Sequence, residues 1–121
     1  MSDPSPIAQL VQRQAEAWSS QNPDAVLADF AEDSLFVVAD TRVRGKADIR
    51  EFVEDFFKSG SKVEISIRRI VEGETQGAVE WHWREENPTT GETSEAEDAI
   101  IFALEAGQIV YWREYIHSLH N

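Results

Sequence analysis

A chain of 121 residues without a cysteine is long enough to bury one core, but it has neither disulfides nor thiol chemistry to draw on. Its 23 acidic against 11 basic residues give a formal charge of −12, which argues against nucleic-acid and anionic-membrane partners and otherwise reads as solubility. No apolar run nears the roughly 20 residues needed to cross a bilayer, and Met-Ser-Asp-Pro-Ser-Pro lacks the basic and apolar regions of a signal peptide, so the expectation is a cytoplasmic protein with one domain over residues 1–121.

Ser5-Pro6 reads as an N-cap followed by proline at the first helical position, and Ile7, Leu10, Val11, Ala15 and Trp18 recur at helical spacing, predicting a helix from about Pro6 to Ser20. Asn22-Pro23-Asp24 repeats the start signal, and Val26, Leu27 and Phe30 mark a second, shorter helix ending before Glu32-Asp33. The β-prone run from Ser34 to Ala39 predicts a short strand, after which Asp40-Thr41-Arg42 turns the chain and the alternating charges Asp40, Arg42 and Arg44 suggest a solvated loop. Past Gly45, Ile49, Phe52, Val53, Phe56 and Phe57 form the apolar face of a third helix that stops at Gly60. From Lys62 the period changes to two, and turns at Gly73, Asn87 to Gly91 and Gly107 divide an antiparallel meander near 62–72, 76–86, 94–104 and 108–117. Helices first and strands second indicate an α+β fold, the helices packed on one face of a curved antiparallel sheet with which the early strand also pairs.

Alternation along 76–86 turns Val79, Trp81, Trp83 and Glu85 toward the helices and Glu80, His82, Arg84 and Glu86 away from them. A two-residue turn at Ala106-Gly107 sets Leu104 opposite Ile109, Ile101 opposite Trp112, Ala99 opposite Glu114 and Glu97 opposite Ile116. The concave side then becomes an aromatic cleft, with Trp18, Phe30, Phe36 and Phe56 reaching it from the first half. Trp81, Trp83, Ile101 and Trp112 are its expected walls on the sheet. Four tryptophans can equally fill a core. Glu114 beside Trp112 must be solvated, paired or used, because a lone buried charge is expensive; it is the candidate catalytic residue. Ile100, Phe102, Tyr111, Arg113 and Tyr115 fall on the convex side, a composition that suits a homodimer interface.

No Gly-x-Ser-x-Gly elbow, phosphate loop or dinucleotide fingerprint is present. His117 and His120 have metal-like spacing only on a helix and lack companion carboxylates, so no metal is expected. A tail folded over the cleft would make His117 a proton-transfer partner; a loose C-terminus is the plainer reading.

Several segments resemble a known family: Ala17-Trp18 to Asn22-Pro23-Asp24-Ala25, Phe30-Ala31-Glu32-Asp33, Arg44-Gly45-Lys46-Ala47-Asp48-Ile49-Arg50-Glu51-Phe52, Gly107-Gln108-Ile109 and Trp112-Arg113-Glu114-Tyr115. In this order they look like the SnoaL-like branch of the NTF2-like superfamily. The resemblance implies a cone-shaped α+β fold, a curved sheet wrapped around N-terminal helices, a pocket inside the cone and a dimer through the sheet. The cone hosts isomerases, cyclases, hydrolases and non-catalytic binders, so function rests on residues. Steroid isomerase members need an aspartate and a tyrosine where this chain has Val38 and Gln14. Epoxide hydrolase members share the Trp-Arg-acid-Tyr stretch, which matches Glu114 to a catalytic carboxylate, but need an inward arginine and aspartate where Trp81 and Trp83, or Trp83 and Glu85, stand. Cyclase members rely on an acidic base and a pocket histidine, and His82 has the wrong face.

Two readings follow. In the first, the cone binds a small apolar or aromatic molecule, and any catalysis is cofactor-free isomerase, cyclase or hydrolase chemistry with Glu114 as general base. In the second, the chain is a non-catalytic ligand-binding or dimerisation module.

Overall fold

The computed structural model describes residues 4–119. The order of elements is α1 (Pro6–Ser19), α2 (Pro23–Ala28), β1 (Phe30–Val38), β2 (Thr41–Arg44), α3 (Lys46–Lys58), β3 (Lys62–Glu72), β4 (Gln76–Glu86), β5 (Thr93–Glu105) and β6 (Gln108–Leu119). Local chemistry sets the helix starts. Ser5 Oγ accepts the Ala8 amide at 3.0 Å and Asn22 Oδ1 the Ala25 amide at 3.1 Å, each ahead of a proline that has no N–H to satisfy.

The six strands form one open mixed sheet in the order β2-β1-β6-β5-β4-β3. β3 to β6 make the antiparallel meander that the period-two pattern predicts. β1, expected in an antiparallel sheet, instead runs parallel to β6, pairing Phe36 with Trp112 and Val38 with Glu114. No hairpin joins these two strands, so nothing forces them antiparallel. Phe30 is the first residue of β1 rather than part of α2. The expected loop through Arg42 and Arg44 is β2, a short edge strand whose charges sit on its solvent side and discourage further pairing.

The register between β5 and β6 differs from the one expected. Ala106 and Gly107 have φ of 51° and 79°, as a primed hairpin turn requires, and Leu104 does face Ile109. Val110 is then an extra residue: Ala103 pairs with Tyr111, Phe102 with Trp112 and Ile100 with Glu114. This bulge reverses the faces of β5 relative to a plain ladder. Ile100 and Phe102, expected outside, are fully buried, while Ile101, expected on the concave wall, pairs with Arg113 on the outer face and is 47% exposed.

The core lies between α1, α2, α3 and the concave face, where Val11, Leu27, Ile49, Trp81, Phe102 and Trp112 are wholly buried. Gly77 marks the tightest approach on β4. A Cβ there would lie 2.8 Å from the Val71 carbonyl oxygen and 3.0 Å from the Phe102 ring. Backbone cannot withdraw as a side-chain tip can, so Gly77→Ala is expected to lower stability by about 1 to 3 kcal/mol, read from the midpoint of urea unfolding.

Candidate functional site

Toward one end of the sheet the core gives way to a cavity of about 580 Å³, bounded by α1, α3 and strands β1, β4, β5 and β6. Trp18 comes from α1 and Phe52 and Phe56 from α3, with Phe36 and Trp83 opposite them on the sheet. Phe52 and Phe56 are only half-buried because this part of the apolar face of α3 borders the cavity. Trp18, Phe56 and Trp83 form a triangle with ring centroids 5.8 to 6.0 Å apart and planes inclined by 52° to 65°, the edge-to-face packing that ring quadrupoles favour.

Glu114 lies on this wall, flanked by Val38 on β1 and Ile100 on β5, and is 8% exposed. Its Oε2 accepts the Trp112 indole N–H at 2.9 Å. Burial pushes its pKa up from 4.5 to about 7; the Trp112 N–H offsets part of that rise and the negative charge of Asp98 adds to it.

Asp98 is the residue that sequence reasoning missed. A plain ladder puts Glu97 inward, and the Val110 bulge brings Asp98 there instead. It sits across β5–β6 from Ile116, two residues beyond Glu114, so the two carboxylates are diagonal neighbours on one face. Asp98 is 4% exposed, and its Oδ1 makes no hydrogen bond within the protein. Burial raises its pKa from 3.8 to about 6. The Trp81 N–H, directly across on β4, draws it partly back although no hydrogen bond of normal geometry joins the two; Glu97 and Glu85 raise it and His82 lowers it. A signal was available in the side-chain sizes: Ile100 and Phe102 are bulkier than Ala99 and Ala103, which favours the face containing Asp98 as the inward one.

Trp-Arg-Glu occurs twice, at 83–85 and 112–114, with the same result. Residues two apart share a strand face, and in each copy the indole N–H reaches the glutamate, at 2.7 Å for Trp83 and Glu85.

Of the expected wall residues, Trp18, Phe36, Phe56, Trp83 and Glu114 meet at the cavity. Phe30, Trp81 and Trp112 are fully buried beneath it as packing, and Ile101 is outside. His82 lies 2.9 Å from Glu95 Oε1, and His117 is exposed on β6 opposite Glu97; neither lines the cavity, and His120 falls outside the described residues. The C-terminal run through Leu119 is strand, not a loose tail. Gln14 points away toward α2, donating to the Val26 carbonyl at 2.9 Å and Asp29 Oδ2 at 3.2 Å. Among the described residues no cluster of three His, Cys, Asp or Glu could hold a metal ion, and no helix is long and apolar enough to cross a membrane.

Solved structures share this architecture. A candidate polyketide cyclase from Xanthomonas campestris superposes with a TM-score of 0.80 at 24% identity, over 91% of this chain and 89% of its own. An LEH-like epoxide hydrolase of Mycobacterium tuberculosis gives 0.80 at 18%, over 92% and 82%. A Catenulispora acidiphila protein with a ketosteroid isomerase-like fold, solved in complex with trimethylamine, gives 0.77 at 17%, over 88% and 84%. At these identities the likeness is one of fold. No curated protein sequence matches the chain. Residues 11–112 match the SnoaL-like domain, which spans most of the described structure, and the chain belongs to that family.

Proposed function

We propose that this SnoaL-like protein binds a small, largely apolar or aromatic molecule in its cavity and moves protons on it without a cofactor. The observation that carries this reading is the pairing of Asp98 and Glu114 on one wall of an otherwise aromatic cavity, with pKa values raised to about 6 and about 7. Two carboxyls so placed titrate as a unit. Between these values the pair holds close to one proton, so an ionised member can take a proton from the ligand while the protonated member donates one elsewhere. That suits isomerisation, cyclisation or hydrolysis by proton transfer, with Glu114, and now Asp98, as the catalytic groups. The outer sheet face around Ile101, Tyr111, Arg113 and Tyr115 is the surface we assign to a second copy of the chain. Its exposed apolar atoms and the Arg113 guanidinium stacked 5.0 Å above the Tyr115 ring suit an interface.

A second reading is sequestration without turnover. The full burial of Trp81, Trp112 and Phe102 favours it, because a cone packed at its inner end can hold a ligand without working on it.

The base-sensitive probe 5-nitrobenzisoxazole separates the two. Loss of its C3 proton to a carboxylate breaks the N–O bond and releases a coloured cyanophenolate. Conversion above the buffer rate is expected, rising with ionisation of the pair and falling by roughly a hundredfold or more in Asp98→Asn with Glu114→Gln. Bound probe with no conversion, or conversion untouched by the double change, would favour sequestration.

A further inference from the structure

We propose that the ligand of this cavity carries a positive charge, as a protonated or quaternary amine on a small aromatic or aliphatic frame. This rests on the reading of the cavity as a small-molecule site and adds the ligand's class. Among the described residues, no lysine, arginine or histidine lines the cavity, whereas Glu85, Glu95, Asp98 and Glu114 do, Glu95 lying against His82. Trp18, Phe56 and Trp83 all line the cavity, and a ring face turned toward it gives an ammonium group π-density to rest on. Two indoles near the site donate their N–H to carboxylates, Trp83 to Glu85 and Trp112 to Glu114, which makes those rings more electron-rich and fixes the acids beside them.

Asp98 gives the independent sign. It is almost wholly buried and lines the cavity, and among the described residues neither it nor Glu114 has an ion-pair partner, although an uncompensated buried charge is costly. A cation meets that need, offsetting the desolvation of Asp98 and Glu114 while its own is offset by them. An anionic ligand would add a like charge to a site that already strains to ionise. A neutral ligand leaves both acids as they are.

A cation also pulls protons off the pair. Of the groups facing these acids, the Trp81 and Trp112 N–H groups favour ionisation, Glu85 and Glu97 oppose that of Asp98, Asp98 opposes that of Glu114, and His82 favours that of Asp98 but also lies against Glu95. Cation binding near neutral pH is therefore expected to release protons, and neutral-ligand binding is not.

Benzyltrimethylammonium and its uncharged carbon counterpart neopentylbenzene differ in charge but hardly in shape. Calorimetry or tryptophan fluorescence at about pH 8, where both acids are ionised, is expected to show the cation binding roughly tenfold or more tighter. At about pH 6.5, calorimetry in buffers of different ionisation heat is expected to show proton release for the cation alone. Asp98→Asn with Glu114→Gln, which preserves shape, is expected to remove most of the preference. Equal binding of the two compounds, or a preference unchanged in the double variant, overturns the cationic class and leaves the cavity reading standing. If benzyltrimethylammonium at millimolar concentration and neopentylbenzene at its solubility limit both fail to bind, both readings fall.

Discussion

Glu114→Gln is expected to make the protein more stable above neutral pH, by up to about 3 kcal/mol, and to remove the proton transfer proposed for this residue. The sign follows from linkage. Burial raises the folded-state pKa of Glu114 from 4.5 to about 7, so across that window the folded protein holds a proton that the unfolded chain has released. Stability therefore falls as pH rises from about 4.5 to about 7 and is level on either side as far as this group is concerned. At about 1.4 kcal/mol for each pH unit, the whole fall is about 3 kcal/mol. Glutamine has the same shape, can still accept the Trp112 N–H, and never ionises, so its stability curve lacks this fall. Below about pH 4.5 the two proteins should agree within about 1 kcal/mol, since both then carry a neutral group. Asp98→Asn should act in the same direction between about 4 and about 6. Urea unfolding at about pH 4.5 and about pH 8 measures the difference. A glutamine variant less stable at the higher pH would mean that Glu114 is a charge anchor with an ionic partner.

Trp112 is the second position of large effect. It is fully buried, stacks at 5.6 Å on Phe102, packs at 6.1 Å from both Phe30 and Trp81, and donates to Glu114. Trp112→Ala removes this packing and is expected to cost about 3 to 5 kcal/mol, enough to unfold much of a domain of this size on warming. Trp112→Phe keeps most of the apolar contact and deletes the N–H. Because that N–H favours the carboxylate, the apparent pKa of Glu114 should move further up, shifting the pH profile of the proposed proton transfer toward alkaline values. A Trp112→Phe variant with an unmoved profile would show that the hydrogen bond does not tune Glu114.

The elements with strong periodicity were legible from the residues alone. α1 and α3 carry unbroken apolar faces with caps or stops, and the four strands of the meander fall between turn signals, so their bounds agree with the structure to within about two residues. What was misread is the face of β5, where the turn's plain ladder outweighed the signal in side-chain size. On β5 both faces alternate an acid with apolar residues, the bulkier Ile100 and Phe102 lying on the face of Asp98, and one bulged residue on the neighbouring strand brings that face inward. Because the side-chain period is two, the misplaced Val110 moved Asp98, Ile100 and Phe102 to the wrong face and Ile101 to the cavity at once. β6 escaped this beyond the bulge, so the place of Glu114 on the cavity wall was legible. The parallel pairing of β1 with β6 was hidden for a different reason: partners distant in sequence leave no turn to read. Trp81 and Trp112 show the limit of aromatic clustering, since the same rings that suggest a pocket were used as its foundation.

The proton chemistry of Asp98 and Glu114 is most directly tested by following their side-chain carboxyl carbons by NMR across pH. Two coupled steps are expected, near pH 6 and near pH 7, with each step moving both signals. Removing the Asp98 charge by Asp98→Asn should lower the pKa of Glu114. Two independent titrations at the ordinary values of 3.8 and 4.5 would show water-exposed acids and contradict a buried pair that shares a proton.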